Sequence, residues 1–137
     1  KLGVSFASPG NTLREADVVI HASGSPEGLQ LGLDIAGVEA TIVEMSWFGD
    51  REVALPLGGA FHSRRLTIRS SQVGQIAPVQ RPRWDTRRRM AQALALLTDP
   101  TLDALISGES LFDELPDVMV RLASTPADVL CHRIRYE

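Results

Sequence analysis

The sequence is poorest in residues that staple a chain or anchor it. A single cysteine, Cys131, among 137 residues leaves no internal disulfide and no zinc cage built on several thiolates, and a reducing cytoplasm is the expected compartment. No apolar run approaches the ~20 residues that a spanning helix needs. No signal or lipid-anchor pattern is visible, so no membrane partner is expected. Charge of one sign is lacking too: 14 basic against 17 acidic side chains leave a net charge of −3. Bulk electrostatics therefore predict no binding to nucleic acid or to an anionic membrane. The first residue is Lys1, and KLG reads as the last turn of a helix with its glycine stop, the expected look of a chain cut from a longer one.

What remains is an ordinary soluble composition, 44% hydrophobic and 23% charged, enough for about one domain with a real core. The stretch DVVIHASGSPEGLQLGLDIAG, residues 17–37, predicts a strand, a turn and a helix. Val18 to Ile20 with Ala22 bracket His21 and suit a strand covered on both faces. Ser25 can cap the helix, and Pro26 suits its first position, where a missing N–H costs nothing. Leu29, Leu33 and Ala36 share one helical face, with Gly37 as a left-handed stop. ATIVEMS, residues 40–46, predicts a second strand rich in β-branched residues. A short helix is expected near Leu57 to Ser63, and RRLTIRSSQ, where Leu66 and Ile68 alternate with Thr67 and Arg69, predicts a third strand. The order β, α, β, α, β with short joints is that of a parallel sheet with helices on its faces.

The second half has another pattern. Val73 to Arg83 reads as a loop, and Asp85 or Thr86 can cap a helix to about Leu97 whose Met90, Ala93, Leu94 and Leu97 form an apolar stripe. Asp99 and Pro100 stop it. Leu102 to Ser107 is expected as a short strand or extended piece. A helix opening at Phe112 and Asp113 follows, with Leu115, Val118, Met119 and Leu122 inward and Pro116 tolerated in its first turn. In the closing DVLCHRIRYE, alternating Leu130, His132, Ile134 and Tyr136 predict a strand.

Taken in order, ADVVIHASGSPEGLQLGLDIAG, EATIVEMSWFGD, RRLTIRSSQVG, LDALISGESLFDELPDVMVRL and LCHRIRY resemble the C-terminal half of the medium-chain dehydrogenases, the zinc-type alcohol dehydrogenase superfamily. EMSWFGD and AFHSRRLTIRSSQVG are similar to a subgroup of zinc-binding alcohol dehydrogenase-like proteins near the bacteriochlorophyllide dehydrogenases. The resemblance implies an α/β fold: a partial Rossmann-like parallel sheet with flanking helices, plus a C-terminal segment returning toward a catalytic domain outside this chain. Residues 1–97 would be the second half of a dinucleotide-binding domain and 98–137 the returning segment. The implied activity is hydride transfer between NAD or NADP and a small alcohol or carbonyl substrate. This chain alone is expected to be inactive, because the proton-relay residues, and zinc where the parent keeps it, belong to the absent domain. The implied dimer contact is the strand near Leu66 to Ser71.

Ser23, Gly24, Ser25, Pro26, Glu27 and Gly28 lack the glycine spacing of a pyrophosphate cradle, and Glu27 sits where a phosphate would go. The cradle is expected upstream. Ligands of open parallel sheets lie beyond the strands' carboxyl ends, so the resemblance implies cofactor contacts at Ala22, Ser23 and Gly24, at Glu44, Met45, Ser46 and Trp47, and at Ser70, Ser71 and Gln72. Glu44 departs from the small or apolar residue expected beside a nicotinamide.

Other constellations read more plainly. Arg81, Arg83, Arg87, Arg88 and Arg89 around Trp84 could form a nucleic-acid patch, but the net charge favours a solvated face. His21, His62, His132 and Cys131 lack the spacing of a metal site, and Cys131 and His132, adjacent in a strand, point to opposite faces. Ser70 and Ser71 with His62 lack the elbow and the orienting carboxylate of a nucleophilic site. The rival to the dehydrogenase reading is a non-catalytic α/β module that binds a nucleotide or a protein.

Overall fold

Ser25 and Pro26 do locally what their chemistry predicts. In a computed structural model, which describes residues 2–11, 14–124 and 129–136, Ser25 Oγ accepts the Gly28 N–H at 3.2 Å and opens helix α1, Pro26–Ile35. Strand β1, Ala16–His21, precedes it, and strand β2, Ala36–Glu44, follows it directly. A helical turn at Leu57–Phe61, broken at Gly59, leads to strand β3, Thr67–Ser70. The three strands are parallel in the order β1-β2-β3, so the expected α/β sheet is present. These elements lie in one compact unit, Ser5–Ala77.

Leu29 and Leu33 of α1 pack with Ala36, Ala40, Ile42 and Leu66, and Val19, Phe48, Val53, Leu55, Phe61 and Ile68 close round them. Arg64 donates to the carbonyls of Asp34 at 3.0 Å and Ala36 at 2.7 Å. A cation thus satisfies carbonyls at the end of α1, where the helix dipole favours positive charge.

Two expectations need correction. Gly37 is not a left-handed stop, because α1 ends when Ala36 turns extended, with φ −67° and ψ 135°. A glycine suits position 37 for another reason: a Cβ there would lie 3.1 Å from the backbone carbonyl group of Glu15. Nor is β1 covered on both faces. Val19 and His21 face α1 and the core, while Val18 and Ile20 are 59% and 65% exposed, because strand side chains alternate and α1, the one α-helix among the described residues of this unit, covers the first face.

The residues from Pro78 onward form a second unit with the chain's start. Helix α2, Thr86–Leu96, is capped by Asp85, whose carboxylate accepts the Arg88 N–H at 2.7 Å. Its stripe is regular but uncovered: Met90, Leu94 and Leu97 are exposed. Periodicity had placed these residues on one face without placing anything against it. The stretch expected as an extended piece at 102–107 is mostly a tight helical segment, Pro100–Leu105, started by Asp99 accepting from the Thr101 N–H at 2.9 Å. Strand β4, Ile106–Leu111, comes after it. Helix α3, Leu115–Ser124, buries Val118 and leaves Met119 exposed, and strand β5, Cys131–Arg135, pairs parallel with β4. Glu109 of β4 bonds Arg133 Nε at 2.6 Å and Arg135 at 3.2 Å, and Phe112 stacks on Tyr136 at 4.9 Å. Lys1 of the expected helix end, and Asp128 and Glu137 of the closing stretch, lie outside the described residues.

No helix among the described residues is long and apolar enough to cross a membrane.

Candidate functional site

Parallel pairing brings the carboxyl ends of β1, β2 and β3 to one edge of the sheet, with His21 opposite Glu44 and Glu44 opposite Ser70. The register continues past the strands: the Met45 N–H donates to the His21 carbonyl at 2.9 Å and the Ser71 N–H to the Glu44 carbonyl at 2.8 Å. A connected polar network grows from this edge. His21 Nδ1 lies 2.7 Å from Glu44 Oε2, and His21 Nε2 lies 2.7 Å from Ser23 Oγ. The second Glu44 oxygen accepts the Ser46 N–H at 2.7 Å, and Ser46 Oγ accepts the Gly24 N–H at 2.9 Å.

The network is shielded at its base. His21 is 5% exposed and Glu44 14%, while the Phe48 ring stacks on the imidazole with centroids 6.1 Å apart. A buried pair of this kind persists only when its polar atoms are satisfied. Among the described residues, no buried side-chain nitrogen or oxygen lacks a partner. Gly28 makes the packing possible, because a Cβ there would stand 2.4 Å from Ser23 Oγ and 2.9 Å from His21 Nε2.

The turn between β1 and α1 has little for an anion. The Gly24 N–H is given to Ser46, the Ser25 N–H to Ser23 Oγ at 3.2 Å, and the Gly28 N–H to Ser25 Oγ. Glu27 stands in the first turn of α1, where the Ser25 hydroxyl donates to its carboxylate at 2.5 Å. That bond, helped by the backbone and by Arg51, holds the Glu27 carboxyl below its usual range. A phosphate here would meet the Glu27 carboxylate and no spare amide of these three, with the Arg51 guanidinium already donating to the Gly24 carbonyl at 3.2 Å.

Of the residues singled out from sequence, Ser23, Gly24, Glu44 and Ser46 meet in this network. Ala22 and Met45 are exposed beside it, and Trp47 is 90% exposed. Ser70, Ser71 and Gln72 continue from β3; Ser71 joins through its backbone, while Gln72 accepts from the Gly74 N–H in its own turn. Sequence reasoning weighed His21 only as a metal ligand and passed over its place between Ser23 and Glu44. The available signal was its spacing: His21 and Ser23, two apart, leave a strand on the same side, and Glu44 ends the next strand. His62 is exposed and outside the network, and His132 Nε2 lies 3.0 Å from Ser110 Oγ in the other unit. Among the described residues, no three His, Cys, Asp or Glu side chains group as metal ligands would.

No protein-family model and no curated protein sequence matches the chain. Solved structures do. Benzyl alcohol dehydrogenase from Acinetobacter calcoaceticus is similar over 90% of this chain and 32% of its own, at 18% identity and a TM-score of 0.62. L-idonate 5-dehydrogenase from Escherichia coli is similar over 96% and 34%, at 16% identity and 0.64. The chain has the fold of the C-terminal part of an alcohol dehydrogenase. Galactitol-1-phosphate dehydrogenase from Escherichia coli shares this dehydrogenase fold over 82% of the chain and 32% of its own length, at 20% identity and 0.60. The chain thus spans about a third of the length of these three dehydrogenases.

Proposed function

We propose that this chain is the nucleotide-binding portion of an NAD(P)-dependent, alcohol dehydrogenase-like oxidoreductase that moves hydride between the nicotinamide and an alcohol or carbonyl carbon. The observation that supports this most is the dehydrogenase fold over 82–96% of the chain, with three parallel strands ending at one edge, the side where such sheets receive ligands. In this reading Ala22, Ser23 and Gly24, then Glu44 to Trp47, then Ser70 to Gln72 form the floor for the ribose and nicotinamide. Residues 1–97 serve the nucleotide and 98–137 return toward a catalytic domain. The pyrophosphate is held by residues outside this chain, consistent with the negative charge of Glu27 and the committed amides around it. Bound nucleotide would supply the hydride acceptor. The chain's own residues bind and orient: backbone groups at the strand ends take the sugar and carboxamide, and the His21–Glu44 pair keeps two strand ends level. Among the described residues no His, Cys, Asp and Glu side chains group as zinc ligands would, and a parent enzyme that keeps zinc would hold it elsewhere.

The edge of β3 would form a dimer contact, and the chain alone would produce no NAD(P)H from alcohols. Binding is tested by saturation-transfer NMR with NADH. Without a pyrophosphate cradle a dissociation constant of about 1 mM, roughly −4 kcal/mol, is expected. Saturation should reach the ribose and nicotinamide protons and weaken in a Gly24→Val variant. No transfer to NADH at several times that concentration, or transfer unchanged by the substitution, would overturn the assignment.

A further inference from the structure

The network at the ends of β1 and β2 contains an arrangement that nucleotide binding does not require. Ser23 Oγ, His21 and Glu44 stand in line, 2.7 Å from hydroxyl to Nε2 and 2.7 Å from Nδ1 to carboxylate. A carboxylate at Nδ1 selects the tautomer that donates there, which leaves Nε2 to accept the Ser23 hydroxyl proton. A hydroxyl bonded to a base that is itself oriented by a third group is the signature of an activated nucleophile, whatever the fold or chain order. The base and its orienting acid are shielded, whereas Ser23 is exposed. Ser23 is thus the residue of the three most open to solvent.

The surroundings support the same role. Ser23 sits on a strand-to-helix turn, and Gly24 after it has a φ of +67°. Its Oγ also accepts the Ser25 N–H at 3.2 Å, which occupies one of its two lone pairs and leaves the other for attack. Among the described residues the N–H of Gly24, the residue after the hydroxyl, is held by the Ser46 hydroxyl at 2.9 Å, which also lies 3.3 Å from His21 Nδ1, so an acyl oxygen that takes this donor must displace that hydroxyl. The Ser46 N–H fixes the far oxygen of Glu44. Gly28 leaves the room that Ser23 and His21 occupy. Exposed Met45 and Trp47 lie just beyond β2, and the Glu27 carboxylate in the first turn of α1 is offset by the Arg51 guanidinium, which donates to the Gly24 carbonyl at 3.2 Å, a setting for a small, uncharged, partly apolar ester.

We propose that Ser23 is a catalytic nucleophile, with His21 as its base and Glu44 as the orienting acid, that accepts the acyl group of small neutral esters. Ser23 Oγ attacks the carbonyl carbon and its proton passes to His21 Nε2. As the bond from carbon to the leaving oxygen breaks, that proton goes to the departing alcohol. Water then attacks the acyl-serine, gives a proton to Nε2, and the carboxylic acid leaves as Ser23 recovers its hydrogen. With one amide donor for the developing oxyanion rather than two, turnover is slow and the covalent adduct accumulates.

The test uses the whole chain without nucleotide, treated with p-nitrophenyl acetate and separately with an alkyl fluorophosphonate, in which the serine–phosphorus bond forms as fluoride leaves. Peptide mass mapping follows the adduct. Ser23 should be modified at least about 100-fold faster than Ser63, an exposed serine of the same unit, and His21→Gln should lower the Ser23 rate about 100-fold, the low end of what a general base contributes. Glu44→Gln should lower it less, Gly28→Ala should lower it by displacing Ser23, and Ser63→Ala should change nothing. Each variant is checked by circular dichroism. A Ser23 rate equal to that of Ser63 in the wild-type chain overturns the proposal even if His21→Gln fails to fold. So does a folded His21→Gln variant that labels at the wild-type rate.

Discussion

The two units of the chain solve the same burial problem unequally. The unit from Ser5 to Ala77 gathers Leu29, Leu33, Ala36, Ala40, Ile42 and Leu66 into one core, whereas the unit from Pro78 onward buries Val118 alone among its described hydrophobic residues. In the first, α1 packs against β1 and β2 of three paired strands, and one helical stripe meets one sheet face. In the second, two parallel strands carry an outer set of ion pairs, from Glu109 to Arg133 and Arg135, while α2 turns its stripe to solvent. A two-stranded pair is marginal without a packed face. The difference teaches that an amphipathic pattern states what a helix needs covered and not that anything covers it.

Substitutions can break or sharpen this contrast. The largest effect is expected for Leu33→Ala, which removes one of the two largest fully buried side chains and should cost about 2–5 kcal/mol, read from the urea midpoint with a probe on β2. Val118→Ala, in the other unit, should cost about 1–2 kcal/mol by the two methyl groups removed, read from a probe on β5. A larger loss at Val118 than at Leu33 would reverse the comparison. Leu94→Ser on the open face of α2 should change stability by no more than about 0.5 kcal/mol, and a larger fall would mean that this face is covered in solution.

The smallest effect is set by acid. The hydrogen bond from Arg133, with Arg135 adding to it, holds the Glu109 carboxyl below the usual carboxylate range. A group whose folded pKa is lowered adds stability that is present above its unfolded value and is lost as pH falls through the folded one. Amide shifts of β4 and β5 should therefore move together below the ordinary carboxylate range. Glu109→Gln should remove that step, and an unchanged step would assign it to another group.

Much of the first unit was legible because its signals are local. Ser25 and Pro26 announce α1 by capping chemistry, and the β-branched run before Glu44 announces β2. What failed depends on residues far away in sequence. Gly37 looked like a helix stop because glycines often are, yet its value lies in the backbone of Glu15 passing beside it. Asp99 and Pro100 have the pattern of a helix end, although the same pair also starts the helical turn that follows. The meeting of His21 with Glu44 needs the register of two strands 23 residues apart, which no local pattern encodes. Ser70, Ser71 and Gln72 were found by the rule of strand ends, and that rule says nothing of side chains.

The sheet order has a consequence for how copies of this chain can meet. Among the described residues β1 and β3 each pair on one side only, so the sheet ends in two unlike rims, one bearing Asp17 and the other Arg69. Two β3 rims related by a two-fold axis run antiparallel and close after a single contact. A β3 rim laid along the β1 rim of the next molecule runs parallel, joins unlike surfaces, and leaves the same pair of rims free at either end. That geometry has no built-in stop, and a head-to-tail contact that does not close grows into a fibre. The choice between a finite pair and an endless ribbon therefore rests on which rim is covered first.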